Sequence, residues 1–311
     1  LADTKNKGYD IVIIGGGPAG LSAGIYTARS RLTSLLIEKE MIGGKIVNAV
    51  LVENYPGFPQ GIGGYELTQL MHQQATRFGL KTLTAEVTGL EVKRKQKIIR
   101  TNEGDFTARA IIVAGGSKEQ TLGVPGEREF TGRGVSYCAT CDAALFADLP
   151  VTVVGGGNAA LYDALQAAKF ASSVVIIHRR QELRATPIVQ EQAFAEPKIK
   201  FLWNTVVESV DGADTVKSLK LRNVVTGEKS TLEVGGVFVA IGFNPNSAYL
   251  KGLLPLDEAG YIITNEKMET SVPGILAAGD IRSNSIRQTI SAAGDGATAA
   301  VYAERYLTGS Q

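Results

Sequence analysis

The chain is short of cysteine, histidine, tryptophan and surplus charge: 311 residues hold two Cys, two His and one Trp, and 32 Lys and Arg oppose 31 Asp and Glu. A net charge of +1 sets up no global field for phosphate backbones or anionic lipid, which argues against a nucleic-acid partner. No run approaches the roughly 18 unbroken apolar residues of a bilayer span, so no membrane role is expected. The first residues, Leu1-Ala-Asp-Thr-Lys-Asn-Lys-Gly8, show no apolar export core, and the expected location is the cytoplasm. The two cysteines, Cys138 and Cys141, are three residues apart. In a reducing compartment so short a loop is a poor structural staple, because closing it restricts the unfolded chain little. Zinc would need two further ligands, and the histidines, His72 and His178, lie apart from each other and from any other cysteine. No metal is expected, and the pair reads as a redox dithiol.

Glycine, in contrast, is abundant, at 36 residues or about 12% against an average near 7%. Much of it falls in an internal repeat. Tyr9-Asp-Ile-Val-Ile-Ile-Gly-Gly-Gly-Pro-Ala-Gly20 matches Leu149-Pro-Val-Thr-Val-Val-Gly-Gly-Gly-Asn-Ala-Ala160 at an offset of 140 residues. Each copy has an apolar β-branched strand, a glycine turn, a helix (Leu21 to Arg29, Leu161 to Lys169) and a second strand (from Ser34, from Ser173). Further strands are expected at 110–114, 234–241 and 274–278, and antiparallel hairpins over 81–107 and 198–232. The fold class is α/β, with two Rossmann-like nucleotide-binding domains, the second inserted into the first. Turn-forming residues place the boundaries so that 1–116 and 245–311 form one domain and 117–244 the other.

In the first copy Gly15 permits the turn, Gly17 lets the backbone approach a pyrophosphate, and Gly20 lets helix pack on strand. Glu38 ends the second strand, where a carboxylate accepts the adenosine ribose hydroxyls. The second copy has Gly155, Gly157 and Ala160 in the same places, and the offset maps Glu38 onto His178. There stand His178-Arg179-Arg180, with Arg184 one turn on, and this cationic set selects NADPH over NADH. Cys138-Ala-Thr-Cys141 opens a helix that places both sulfurs on one face, and Asp142 is suited to protonate a leaving thiolate if burial raises its pKa. Two nucleotide sites and one dithiol define an electron path from NADPH to a disulfide, and FAD is the group that joins them at the first site.

These motifs, with Glu53-Asn-Tyr-Pro-Gly57, Gly279-Asp280 and Arg287-Gln288, resemble the low-molecular-weight thioredoxin reductase family over essentially the whole chain. The resemblance implies a homodimer whose protein substrate is thioredoxin or a thioredoxin-like protein. It implies that Gly15, Gly17, Pro18, Ala19 and Gly20 surround the FAD pyrophosphate, that Glu38 binds the adenosine ribose, and that Asn54 lies on the flavin side. Asp280 would bind the ribityl chain, and Arg287 and Gln288 would lie near the phosphates and ring. The FAD set is completed by Lys39, Gly44, Lys45, Val87, Ala114, Gly115, Gly279 and Thr289. Gly157, Asn158 and Ala159 would lie at the NADPH pyrophosphate and Arg179, Arg180 and Arg184 at the 2'-phosphate, with Gly155, His178, Ile241 and Gly242 also in that set. Cys138 would attack thioredoxin, Cys141 would face the flavin, and Asp142 would be the acid. The chain departs from the family pattern at Lys45, Gly115, Ala143, Ala144, Leu145, Ala159 and Tyr162. Two alternatives compete with this reading: a related dithiol oxidase or ferredoxin-fed reductase, of which His178-Arg-Arg disfavours the ferredoxin route, and a non-catalytic nucleotide-binding sensor, disfavoured by the intact Cys138, Cys141 and Asp142.

Overall fold

A computed structural model describes residues 8–49, 51–93 and 96–309. Residues 1–7, read above for a targeting signal, lie outside the described residues, as do 94–95 within the first expected hairpin segment. The chain divides into two compact units, Leu1–Lys118 with Asn244–Gln311, and Glu119–Phe243. The first unit contains β1 (Gly8–Ile14), α1 (Pro18–Arg29), β2 (Ser34–Glu38), α2 (Gly64–Arg77), β3 (Lys81–Thr84), β4 (Val87–Lys93), β5 (Gln96–Thr101) and β6 (Gly104–Val113). The short strand β7 (Ser117–Glu119) leads into the second unit. That unit holds β8 (Val135–Ser136), α3 (Ala139–Asp142), β9 (Pro150–Val154), α4 (Asn158–Ala168), β10 (Ser173–Ile177), α5 (Pro187–Ala195) and β11 (Ile199–Leu202). It continues through β12 (Thr205–Gly212), β13 (Val216–Asn223), β14 (Lys229–Glu233) and β15 (Gly236–Val239). The chain returns through β16 (Phe243–Pro245), which pairs with β7, and ends with β17 (Ile275–Ala277) and α6 (Thr289–Thr308).

The sheet of the first unit runs β3-β2-β1-β6-β5-β4, with β17 also on β6. Its central strands are parallel, Ile11 to Ile14 lying opposite Ser34 to Ile37 on one side and Ala110 to Val113 on the other. Strand side chains alternate between faces. Ile11, Ile13, Leu36 and Ile112 therefore pack under α1, α2 and α6, while Val12, Ile14, Leu35, Ile37 and Ile111 build a second core on the other face. Each fully buried Ile or Leu contributes about 1.5–3 kcal/mol, and burial on both faces explains why these strands carry no polar alternation. The second unit repeats the plan with β11-β10-β9-β15-β8. Val151, Val153, Val174 and Ile176 face α4 and α5, and Val154, Ile177, Val237 and Val239 face the three-stranded sheet β12-β13-β14.

Two strands differ from expectation. Lys81–Thr84 and Ile199–Leu202, expected as parts of antiparallel hairpins, pair in parallel with β2 and β10. Each follows a helix, α2 or α5, that carries the chain back across the sheet, and such a crossover delivers a parallel strand. Antiparallel pairing begins only afterwards, in β4-β5-β6 and β12-β13-β14.

Candidate active site

The two glycine turns are built alike. Gly15 N–H donates to Ile37 O at 2.8 Å and Leu21 N–H to Gly17 O at 2.9 Å; at the offset of 140, Gly155 N–H donates to Ile177 O at 3.1 Å and Leu161 N–H to Gly157 O at 3.2 Å. Gly15 has φ +110°, and a Cβ there would run into the Ala114 carbonyl, so glycine is required. A Cβ at Gly20 would meet the Gly15 carbonyl, which is the close approach of helix to strand expected of the motif.

Neither helix that follows is capped from within. The N-caps of α1 and α4 are Gly17 and Gly157, no side chain caps either one, and neither first turn carries an acid. Their free N–H groups and positive dipole ends suit a pyrophosphate, and a Cβ on Gly157 would point into open space. The residues thus fit a dinucleotide at each turn.

The middle glycine of each turn faces the residue that distinguishes the two sites. Gly16 N–H donates to Glu38 Oε2 at 2.6 Å, and Glu40 N–H to Glu38 Oε1 at 3.0 Å. In the second copy a Cβ on Gly156 would collide with the His178 ring. His178 is buried, its Nε2 lies 3.1 Å from Glu182 O, and its edge faces Trp203. Burial holds its pKa below the usual imidazole value, helped by Arg184, Arg180 and Arg179 and opposed by the Glu182 carbonyl. The three arginines are exposed at the rim of this turn. Arg184 N–H donates to Gly156 O at 2.7 Å, and Asn158 Oδ1 accepts Thr186 N–H at 2.7 Å, tying the arginine segment to the turn and the start of α4. Ala159 follows Asn158 in the first turn of α4. Ile241 packs on the core beneath, and Gly242 O accepts Gln120 N–H at 2.9 Å.

Around the first turn, Lys45 Nζ lies 3.6 Å from Asp280 Oδ2, and Ser285 Oγ donates to Asp280 Oδ1 at 3.2 Å. Asn54 Nδ2 donates to Gln288 Oε1 at 3.1 Å, and Gln288 caps α6, whose first residue is Thr289. Arg287 lies over the Tyr261 ring, 5.1 Å from its centroid. Gly44 packs against Gly17, and Asn246 Nδ2 donates to Gly115 O at 2.7 Å. Pro18 and Ala19 open α1, and Val87 packs against the core beneath the sheet. Lys39 engages Glu40 and Glu86 in exposed ion pairs at 3.7 and 3.8 Å.

In the second unit Cys138 and Cys141 form a disulfide, with Cα atoms 5.3 Å apart. Cys138 is the N-cap of α3 and half-buried, and Cys141 is exposed. Cys138 N–H donates to Ser136 Oγ at 3.1 Å, and Ser136 Oγ donates to Asp142 Oδ2 at 2.7 Å. Burial raises the Asp142 pKa, and the Ser136 bond partly offsets it. Tyr137 OH, next in sequence to Cys138, donates to buried Glu127 at 3.0 Å, and Glu127 also accepts Leu122 and Gly123 N–H at 2.8 Å.

Sequence reasoning missed Ser136, Glu127 and Asp163. Asp163, on α4, is a half-buried carboxyl that accepts the Ala139 N–H between the cysteines, and desolvation raises its pKa to about 6. The available signal was its position on the face of α4 beside Ala160, Ala164 and Ala167. Also missed was the pair Arg282 and Asp295 in the first unit. Among the described residues no group of His, Cys, Asp and Glu is placed to hold a metal ion, and no helix is long and apolar enough to cross a membrane.

Two dinucleotide-type turns and a disulfide closed at the head of a short helix define a nucleotide-dependent disulfide oxidoreductase. The family model for pyridine nucleotide-disulphide oxidoreductases matches residues 9–296. A thioredoxin reductase of Peptoclostridium acidaminophilum is 45% identical, over 96% of this chain and 97% of its own. A bifunctional thioredoxin reductase/thioredoxin of Mycobacterium leprae is 44% identical over 96% of this chain and 66% of its own. The crystal structure of thioredoxin reductase from Streptococcus pyogenes aligns with a TM-score of 0.93 at 42% identity, covering 98% of this chain and 100% of that one. The chain belongs to the thioredoxin reductase family. It is an NADPH-dependent disulfide reductase with FAD and NADPH as cofactors.

Proposed function

We propose that the chain passes electrons from NADPH through FAD and the Cys138–Cys141 disulfide to the disulfide of thioredoxin or a thioredoxin-like protein. The observation that carries this reading is the disulfide at the head of α3, with the Ser136–Asp142 hydrogen bond beside it, in the unit that also holds the His178-Arg179-Arg180 turn. The Mycobacterium leprae relative, named for both a reductase and a thioredoxin, supports the partner.

FAD, when bound, would supply the two-electron chemistry that links a nicotinamide hydride donor to a disulfide. The backbone of Gly15, Gly17, Pro18, Ala19 and Gly20 holds its pyrophosphate, Glu38 its adenosine ribose, and Asp280, Asn54, Arg287 and Gln288 the ribityl and flavin end. Gly157, Asn158 and Ala159 hold the NADPH pyrophosphate, and Arg179, Arg180 and Arg184 its 2'-phosphate. With two electrons and two protons the disulfide becomes two thiols, Asp142 supplying a proton to the leaving sulfur. The Cys138 thiolate then attacks the partner disulfide and releases one partner thiolate. Cys141 attacks Cys138 Sγ in the mixed disulfide, which re-forms the Cys138–Cys141 bond and frees the reduced partner. The dithiol must meet flavin and partner in turn, so the unit carrying it swings on the β7 and β16 connections. The chain works as a cytoplasmic homodimer.

Steady-state reduction of a thioredoxin with NADPH and with NADH tests the reading. Turnover that requires both cysteines and prefers NADPH supports it; a flavoprotein that oxidises NADPH but leaves thioredoxin and other disulfide proteins oxidised refutes it.

A further inference from the structure

Asp295 lies in α6 on a stripe of Ala292, Ala293, Gly296, Ala299 and Ala300, the one charged residue among the buried positions of that helix. Its Oδ2 accepts Arg282 Nε at 2.6 Å and Gly279 N–H at 3.1 Å, and its Oδ1 accepts Arg282 Nη2 at 2.9 Å. Arg282 Nη1 donates onward to Ser283 O at 3.2 Å. The Asp295 side chain is 11% exposed and that of Arg282 17%. A buried ion pair is weak evidence for stability, because desolvating both ions offsets their attraction, so its geometric effect is the better guide to its use.

That effect is to fix one turn. The bonds from Asp295 close around the segment from Gly279 to Arg282 and leave Asp280 projecting from it toward Lys45 and Ser285. Gly279 has φ +76°, and a Cβ there would sit 3.0 Å from Ala19 Cβ. A Cβ on Gly296, next to Asp295, would run into the Ala19 carbonyl. The Asp280 turn, α6 and the first turn of α1 therefore meet at Ala19, and Asp295 is the polar link between the first two.

We propose that Asp295 is a positioning residue for FAD: with Arg282 it holds the Gly279–Arg282 turn so that Asp280 and the N-terminus of α1 engage the cofactor together. The inference rests on the reading of Asp280 as a cofactor ligand. Bidentate pairing of a planar guanidinium with a carboxylate fixes orientation as well as distance, which suits such a role.

The test is FAD release from full-chain holoprotein after dilution, followed by the rise of flavin fluorescence, with far-UV circular dichroism recording unfolding in parallel. Asp295→Asn leaves the Arg282 charge without its counter-ion. It should speed release at least tenfold while the circular dichroism signal holds. Arg282→Gln with Asp295→Asn restores neutrality and keeps an amide pair able to hydrogen-bond, and should return release to within about threefold of wild type. Should Asp295→Asn alone fail to fold, the double variant against Arg282→Gln alone makes the same comparison. Asp280→Asn tests the underlying reading. Wild-type release in Asp280→Asn overturns that reading and the inference with it. Fast release in Asp280→Asn but wild-type release in Asp295→Asn overturns the inference alone, as does release in Asp295→Asn that merely keeps pace with unfolding.

Discussion

Replacing Asp163 by Asn should remove a pH-dependent weakness from the unit that carries the dithiol. Burial raises the Asp163 pKa from the ordinary aspartate value of 3.8 to about 6, against the smaller opposing effect of the Ala139 N–H. Below pH 4 the carboxyl is protonated in both folded and unfolded chains and costs nothing. Between about pH 4 and 6 the folded state holds a proton that the unfolded state has released, so stability falls as pH rises and the loss is complete above the folded value. A rise of about two pH units corresponds to about 3 kcal/mol. The asparagine amide can still accept the Ala139 N–H but has no charge to desolvate. Trp203, the only tryptophan, lies in this unit, so urea unfolding followed by its emission reports on the right region. With a urea slope of about 1–3 kcal/mol per molar, the wild-type midpoint should fall by roughly 1 M or more relative to the variant between pH 4 and pH 7. Parallel pH dependence in the two proteins would refute the reasoning, because every other carboxyl is common to both.

Three further outcomes are expected. The Arg179→Ala, Arg180→Ala double variant should lose about tenfold per arginine in the NADPH to NADH ratio of kcat/KM, since each charge-assisted phosphate contact contributes about 1.5 kcal/mol at an exposed site; an unchanged ratio removes the arginines from the site. Gly156→Ala drives a methyl into the buried His178 ring and should lower the urea midpoint of the cofactor-free protein, whereas Gly157→Ala, whose Cβ meets no protein atom within 4 Å, should leave that midpoint unchanged and weaken NADPH binding in equilibrium titration by occupying the space the pyrophosphate needs. Asp142→Asn should slow dithiol formation in stopped-flow by roughly a hundredfold or more, with flavin reduction by NADPH unaffected. Because burial keeps Asp142 protonated to higher pH, the wild-type rate should fall as pH rises through its raised pKa while the variant stays flat.

The two nucleotide turns are legible because each is a local device: strand, glycines, helix and the strand-end residue all fall within about 30 residues, and the 140-residue offset aligns Glu38 with His178. The structure repeats that correspondence in space, Gly16 facing Glu38 and Gly156 facing His178. What the pattern lacked was anything set by packing. Alternation in 81–84 and 199–202 does not distinguish a parallel edge strand from a hairpin arm, since both present one face to a core. Asp163 owes its raised pKa to burial, which packing sets and which the chain signals only through its place on the alanine-lined face of α4. Arg282 and Asp295 stand 13 residues apart across a turn and a helix start, and only their fixed geometry reveals a clamp.

The central claim is that NADPH electrons arrive at Cys138 and Cys141 and leave for a protein disulfide. Counting thiols under anaerobic conditions tests it most directly. One equivalent of NADPH should convert the oxidised holoprotein, in which both cysteines are paired, into one that alkylates at both, as mass spectrometry of the intact chain would show. Oxidised thioredoxin should then abolish the labelling and become labelled itself. NADPH consumed with no label at Cys138 and Cys141, or labelled cysteines that oxidised thioredoxin leaves untouched, would contradict the account.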